Sequence, residues 1–217
     1  LGQNVNSYGR GCDFDCDFAD LLERLASIDG DYKLHFMTSH PKDATKKLVD
    51  VIARNERIAR QFHLPLQSGS NEVLDVMNRR YTAEKYIEIL DYIKEKLPDV
   101  TLSTDIIVGF PGETEEDFQK TLDILSYVKY DMVFSFIYSP RSGTPAAKME
   151  NAIPDEIKTD RMRRLLDLQT EIASELNAKC LGKTYRVICQ GKSKNNEGML
   201  EGRTEGNKIL LFASDTA

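Results

Sequence analysis

The feature that most constrains this chain is a repeated alternation: a short apolar run, then a stretch with helical periodicity. The runs are KLHFM (33–37), FHLPL (62–66), LSTDIIVGF (102–110) and DMVFSFIYS (131–139). Unbroken apolar runs of this kind fit strands covered on both faces, as in parallel sheets. The third is the strongest, being rich in β-branched residues and closed by Gly-Phe-Pro-Gly. Between the runs, Phe18, Leu21, Leu22, Leu25 and Ile28 recur at the spacing of one helix face. Tyr86, Ile87, Leu90, Ile93 and Leu97 do the same behind Thr82, a predicted N-cap. Thr114 and Asp117 predict a capping box ahead of Phe118, Leu122 and Leu125. Strand–helix alternation at this rhythm predicts βα units, hence an α/β fold with parallel strands. Periodicity alone does not separate an open sheet from a partial (β/α) barrel.

After residue 150 the character changes. Residues 155–180 predict one long amphipathic helix, with Met162, Leu165, Leu166, Ile172 and Leu176 on one side. Beyond Gly182 come TYRVICQGKS, GMLEGRT and NKILLFA, short segments separated by Gly and Asn. They predict a small antiparallel β module of three strands, fewer than a closed barrel needs. The expected organisation is therefore 1–150, 151–181 as a connecting helix, and 182–217.

A net charge of −6 argues against a protein that coats nucleic acid by neutralising phosphates. It leaves room for a local basic patch. No apolar run approaches the roughly 18–20 residues of a membrane span, and no signal peptide is visible. The chain opens on Leu rather than Met, so a fragment is expected. Four scattered cysteines make no disulfide framework and point to a reducing, cytoplasmic setting.

In α/β folds ligands sit at the carboxyl ends of the strands. The residues there are Gln3 and Asn4; Thr38, Ser39 and His40; Gln67, Ser68 and Gly69; Asp105 with GFPGET; and Tyr138, Ser139 and Arg141. These neutral donors and acceptors, with one carboxylate and nearby arginines, suit a ligand bearing hydroxyls, an ammonium and a carboxylate. Turn chemistry alone also accounts for Gly, Ser and Pro after strands. His35, His40 and His63 lack the spacing of a metal trio, GxSxG is absent, and GFPGET lacks the Lys-Ser/Thr of a P-loop. No catalytic acid, base or nucleophile stands out. Arg79-Arg80 fits a solvated pair at a helix end.

Six motifs in order, LGQNVNSYG, TSHP, HLPLQSGS, MNRRYT, DIIVGFPGETEEDF and FSFIYSPRSGTPAA, resemble the radical S-adenosylmethionine methylthiotransferases. Within that family the MiaB-type tRNA enzymes are the most similar, and the resemblance covers nearly the whole chain. It implies a partial radical SAM (β/α) barrel followed by a truncated small β-barrel, TRAM-like. It implies S-adenosylmethionine as cofactor and two 4Fe–4S clusters in the full-length protein, their ligands outside this chain. The family's C-x3-C-x2-C loop and its auxiliary-cluster domain are expected upstream of residue 1. The implied substrate is N6-isopentenyladenosine in tRNA, which gains a methylthio group at C2. Threonylcarbamoyladenosine in tRNA and ribosomal protein S12 are the family's alternatives. An electron donor is a further implied partner, no membrane partner is, and a single copy is the expected state.

Residue by residue, the resemblance places Gln3 and Asn4 near the methionine amino group, and Thr38 and Ser39 near the ribose or carboxylate. Gln67, with Ser68 beside it, and Asp105 would address the ribose hydroxyls, and Arg79 the carboxylate. Gly109, Pro111 and Gly112 would let the backbone approach the adenine, with Phe136 and Tyr138 as walls or as core. Lys183, Arg186, Lys192, Lys194, Arg203 and Lys208 would meet RNA, or form an ordinary solvated face. Outside the family, a barrel lyase or isomerase with a phosphorylated ligand and a non-enzymatic RNA-binding module are the competing readings. Cys12 and Cys16 copy the first spacing of the cluster motif, but Ala19 stands where a third ligand is needed and acids at 13, 15 and 17 disfavour thiolates. The pair is read as a coincidence in a variable loop.

Overall fold

A computed structural model describes residues 4–37 and 40–214 of the 217-residue chain. Its elements run α1 (Phe18–Ala26), α2 (Lys46–Arg54), β1 (Gln61–His63), α3 (Asn71–Val76), α4 (Ala83–Lys96), β2 (Thr101–Val108), α5 (Glu115–Val128), β3 (Met132–Ile137) and α6 (Asp155–Ala178). Then follow β4 (Val187–Lys192), β5 (Leu200–Thr204) and β6 (Ile209–Phe212). β1, β2 and β3 form a parallel sheet in that order, and β4, β5 and β6 an antiparallel one.

Alternation along β2 divides the molecule. Leu102, Thr104, Ile106 and Val108 are buried beneath the helices, while Thr101, Ser103, Asp105 and Ile107 are half-buried on the other, inward face. The helix-side core joins Phe62, Leu64, Leu66, Tyr86, Leu90, Ile93, Phe118, Leu125 and Val128 in one cluster. Pro65 cannot donate to the ladder. The gap is bridged by the Thr104 hydroxyl, which accepts from Leu66 N–H at 2.9 Å and donates to Leu64 O at 2.8 Å.

Thr82 caps α4, and Thr114 and Asp117 form the reciprocal capping box of α5, as their spacing predicts. Asp17 and Asp20 build a second box at α1. Three expectations need correction. KLHFM makes only one bridge, Leu34 to Ile58; beyond it a side chain, Gln61 Nε2, meets Phe36 O at 3.4 Å in place of backbone. β3 is not covered on both faces: Met132, Phe134 and Phe136 are exposed, because β3 is the edge of the described sheet and nothing described covers their inward face fully. On α6, Leu165 and Ile172 are buried, but Leu166 points to solvent. The C-terminal module has the three predicted strands as an open sheet; among the described residues it does not close into a barrel.

Candidate functional site

The carboxyl ends of β1 and β2 bring Gln67 and Asp105 together. Gln67 N–H donates to Asp105 O at 2.8 Å, and Gln67 O accepts from Ile107 N–H at 3.0 Å. Gln67 has a φ of 68°, a left-handed conformation that costs a non-glycine residue free energy. That conformation turns the chain after its last bridge to β2, between Gln67 and Ile106. Asp105 lies on the inward face, its carboxylate partly open, with His63 Nε2 3.5 Å from Oδ1. Ser103 Oγ is 3.0 Å from His63 Nδ1, and the imidazole stands edge-on to Phe134.

Arg79 arrives from the end of α3. Asn78 takes a left-handed φ of 56°, its N–H bonds Asp75 O, and Arg79 N–H bonds Leu74 O, both at 2.8 Å. This is a Schellman ending with Asn at the left-handed position, and it explains the Asn of MNRRYT. The half-buried Arg79 keeps a fully buried Nε with no hydrogen-bond partner among the described residues. It lies in the electrostatic neighbourhood of His40 and Tyr81. Burial lowers the His40 pKa, and the charges of Lys42, Arg79 and Arg10 lower it further against the opposing Asp43. Burial pushes the Tyr81 hydroxyl up to about 12, and that hydroxyl donates to Pro65 O and Leu66 O. A neutral His40 and an un-ionised Tyr81 leave Arg79 without a counter-charge from either.

Other predicted residues lie elsewhere or are already engaged. Gln3, Thr38 and Ser39 fall outside the described residues. Asn4 is a clamp between loops: its Nδ2 donates to Asp43 at 3.0 Å, and its Oδ1 accepts from His40 N–H at 3.1 Å. Both ends of its amide are spent. Ser68 is fully buried, its hydroxyl accepting from Ser70 N–H. The adjacent Gly69 fits against α5 so closely that a Cβ would stand 2.6 Å from Lys120 and Thr121 backbone atoms. Ser70 in turn donates to Asp117 at 2.6 Å, tying the turn after β1 to the capping box of α5.

The GFPGET loop is built against α6. A Cβ on Gly109 would collide with the Lys158 side chain, and one on Gly112 would meet Asn151 at 2.5 Å. Pro111 is buried. Glu113 accepts from Gly109 N–H at 2.9 Å and pairs with Arg161 of α6 at 2.8 Å, both side chains almost wholly buried. The glycines thus make room for this chain's own side chains. Tyr138 stands edge-on to Phe110, its hydroxyl buried and without a partner among the described residues. Phe136 is exposed rather than packed in the core.

A cavity of about 780 Å³ opens at the opposite pole, among Gln61, Thr101, Met132, Phe134, Leu181, Tyr185 and Phe212. It is mainly apolar and lies at the amino ends of the strands, away from Arg79 and Gln67. The antiparallel module docks there: Lys208 pairs with Asp131 at 2.7 Å and Lys33 with Glu205 at 2.9 Å. Of the predicted RNA-facing residues, Lys183 lines this cavity and Arg186 reaches Asp31. Arg203 is committed to Gln190 and Asn207. Lys192 and Lys194 are exposed. Cys12 and Cys16 are free thiols, and among the described residues no cluster of His, Cys, Asp and Glu could hold a metal ion.

Sequence reasoning missed His63, Glu113 and Arg161 as partners of the site. It also missed α2, although Thr45 with Leu48, Val49 and Ile52 carries a cap and an apolar face.

The model of the Radical SAM superfamily matches residues 11–125. A tRNA-2-methylthio-N(6)-dimethylallyladenosine synthase of Alkaliphilus oremlandii is 52% identical over 215 residues, covering 99% of this chain and 46% of its own length. A protein of the same name from Clostridium botulinum is 53% identical over 212 residues, covering 98% of this chain and 46% of its own. The chain thus spans about half the length of these curated relatives. Among solved structures, coproporphyrinogen III oxidase from Escherichia coli, a radical SAM enzyme, aligns with a TM-score of 0.53 at 20% identity. The alignment covers 62% of this chain and 31% of that one, and it shows a shared fold.

Proposed function

The chain belongs to the radical SAM superfamily, and from that premise we propose that it is the cofactor-binding part of a tRNA methylthiotransferase. The substrate of the whole enzyme is N6-isopentenyladenosine beside the anticodon, which receives a methylthio group at C2. The names of relatives matching at least 98% of the chain support this choice over threonylcarbamoyladenosine or protein S12.

The observation that carries the reading is the buried, unpartnered Nε of Arg79, in the electrostatic neighbourhood of Tyr81, whose hydroxyl donates to Leu66 O next to Gln67. A buried donor without an acceptor costs free energy, so it marks a place built for a ligand atom. A planar guanidinium suits a carboxylate. The partly open Asp105 suits two vicinal hydroxyls. These residues fit S-adenosylmethionine: Arg79 binds its carboxylate, and Asp105 with Gln67 orients its ribose. Gln3, Thr38 and Ser39 complete the set in this reading. Tyr138 and Phe110 wall the site against water.

When bound, S-adenosylmethionine and two 4Fe–4S clusters held outside this chain supply the radical, sulfur and methyl chemistry. This chain's side chains bind, orient and shield, and none is assigned proton transfer. The open C-terminal sheet is the proposed start of a TRAM-like module, with Lys192 and Lys194 facing RNA phosphates. tRNA, a reducing protein partner and a cytoplasmic setting follow from the same reading. The test is a full-length enzyme containing these residues, reconstituted with its clusters. It should methylthiolate isopentenyladenosine in tRNA, and Arg79→Ala should abolish this. Turnover unchanged by Arg79→Ala would overturn the reading.

A further inference from the structure

Asp105 is the one acid among the residues assigned to contact the ligand, and its own backbone does not fix where its oxygens point. We propose that His63 is a positioning residue that holds the Asp105 carboxylate toward the ribose hydroxyls through its Nε2. This rests on the ribose-binding role assigned to Asp105 above.

The geometry runs as a column up the inward face of the sheet. β1 and β2 pair in parallel with His63 opposite Ser103, and Asp105 follows two residues further toward the carboxyl ends. His63, only 9% exposed, therefore lies one layer beneath Asp105. Its two ring nitrogens face different groups. Nδ1 is 3.0 Å from Ser103 Oγ, and Nε2 is 3.5 Å from Asp105 Oδ1. A carboxylate only accepts, so Nε2 carries the proton, Nδ1 is the lone-pair nitrogen, and the Ser103 hydroxyl donates to it. The acceptor-only Asp105 carboxylate selects this tautomer, and the Ser103 hydroxyl, able to donate or accept, adapts to it. Phe134 stands across the strand register from Asp105, with its ring centroid 5.8 Å from that of His63 at 73°. This edge-on contact blocks rotation of the imidazole toward β3. At 3.5 Å the Nε2–Oδ1 contact is at the outer limit of a hydrogen bond. Catalytic-site contacts of this kind commonly tighten on ligand binding.

His63 also lines the apolar cavity at the amino pole. It closes the floor beneath Asp105, and its Nε2–H, 3.5 Å from Oδ1, would engage that one carboxylate oxygen as the contact tightens. In this proposal Oδ2, which no His63 nitrogen approaches, is left for the hydroxyls of a ribose. Through Asp105, His63 contributes to discrimination between ribose and deoxyribose forms, without touching the ligand.

The test compares binding of adenosine and 2′,3′-dideoxyadenosine to the 217-residue chain by ligand-observed NMR. Wild type should prefer adenosine by about tenfold, the scale of one hydrogen bond to a charged group. Asp105→Asn should erase that preference. His63→Phe should reduce it about threefold or more while leaving the affinity for the dideoxynucleoside unchanged. His63→Gln, which keeps a donor, should restore most of it. An adenosine preference that Asp105→Asn erases but His63→Phe leaves intact would overturn the positioning role and spare the ribose site. Equal weakening of both nucleosides by His63→Phe would show a merely structural role and overturn the proposal. No preference in wild type, or one indifferent to Asp105→Asn, would overturn the ribose site and the positioning role together.

Discussion

Arg161→Met is the substitution whose cost follows most directly from the structure. Arg161 on α6 and Glu113 in the GFPGET loop are 4% and 3% exposed, and Nη1 stands 2.8 Å from Oε2. The same guanidinium donates to Glu113 O at 3.1 Å, reaches Glu115 at 3.3 Å, and lies over the Phe118 ring. Met keeps most of the stem volume and its contact with Phe118, so the change mainly removes the charge. Glu113 is then buried with one hydrogen bond, from Gly109 N–H, and no counter-ion. Breaking a buried pair in this way costs about 3–5 kcal/mol. For a domain of this size each kcal/mol lowers Tm by about 2–4 °C, which places the fall at about 6–20 °C.

The pH dependence follows from the same site. Burial raises the Glu113 pKa above its ordinary value even with Arg161 present. A raised carboxyl pKa means that the native state holds more protons than the unfolded one between the two pKa values. Its contribution is therefore fully present below the unfolded pKa and is lost as pH rises through the folded pKa. Removing Arg161 raises that folded pKa further, so the deficit of the variant should shrink on acidification. Glu113→Gln in the Arg161→Met background should recover most of the loss, because no buried charge remains. Thermal and urea unfolding of wild type, Arg161→Met and the double variant from pH 5 to 8 measures this. A loss under about 1 kcal/mol at pH 7, or a deficit independent of pH, would refute the argument.

Three further outcomes follow. Gly69→Ala should destabilise by about 1–3 kcal/mol, because its Cβ would press on α5 backbone; Gly143→Ala, with open space around it, should show only the smaller penalty of its positive φ in the same unfolding assay. Thr104→Val should cost about 1–3 kcal/mol, since it leaves Leu66 N–H without its acceptor beside Pro65; faster amide exchange at Leu66 would show the site of the loss. Thr114→Ala should cost about 1 kcal/mol through loss of the α5 cap, and loss of helicity confined to the start of α5 would verify the cause.

Much of this architecture is legible in the sequence where a local rule is also the tertiary rule. The cap at Thr82, the box at Thr114 and Asp117, and the β2 run all obey local preferences that packing reinforces. The site is legible in part. Gln67 and Asp105 meet because β1 and β2 are neighbours, which strand-end reasoning anticipates. Asn4 and Ser68 belong to the predicted strand-end set too, yet Asn4 is consumed by bonds to Asp43 and His40 across long sequence separations, and the Ser68 hydroxyl by a local bond from Ser70 N–H within its own turn. The glycines of GFPGET answer to Lys158 and Asn151, about 40 or more residues away, and no periodicity encodes that meeting. Lys33–Met37 is apolar enough for a strand, but the ladder stops after the Leu34–Ile58 bridge, and at Phe36 a side-chain contact from Gln61 stands in for it.

The central claim is that Arg79, Gln67 and Asp105 hold the methionine carboxylate and ribose of one ligand. The most direct measurement is the Arg79 Nε–H resonance of the 15N-labelled chain during titration with S-adenosylhomocysteine. The account predicts a saturable downfield shift at Arg79 Nε, accompanied by changes at the Gln67 and Asp105 amides. Saturable binding that leaves Arg79 Nε unmoved, or no binding at all, would contradict it.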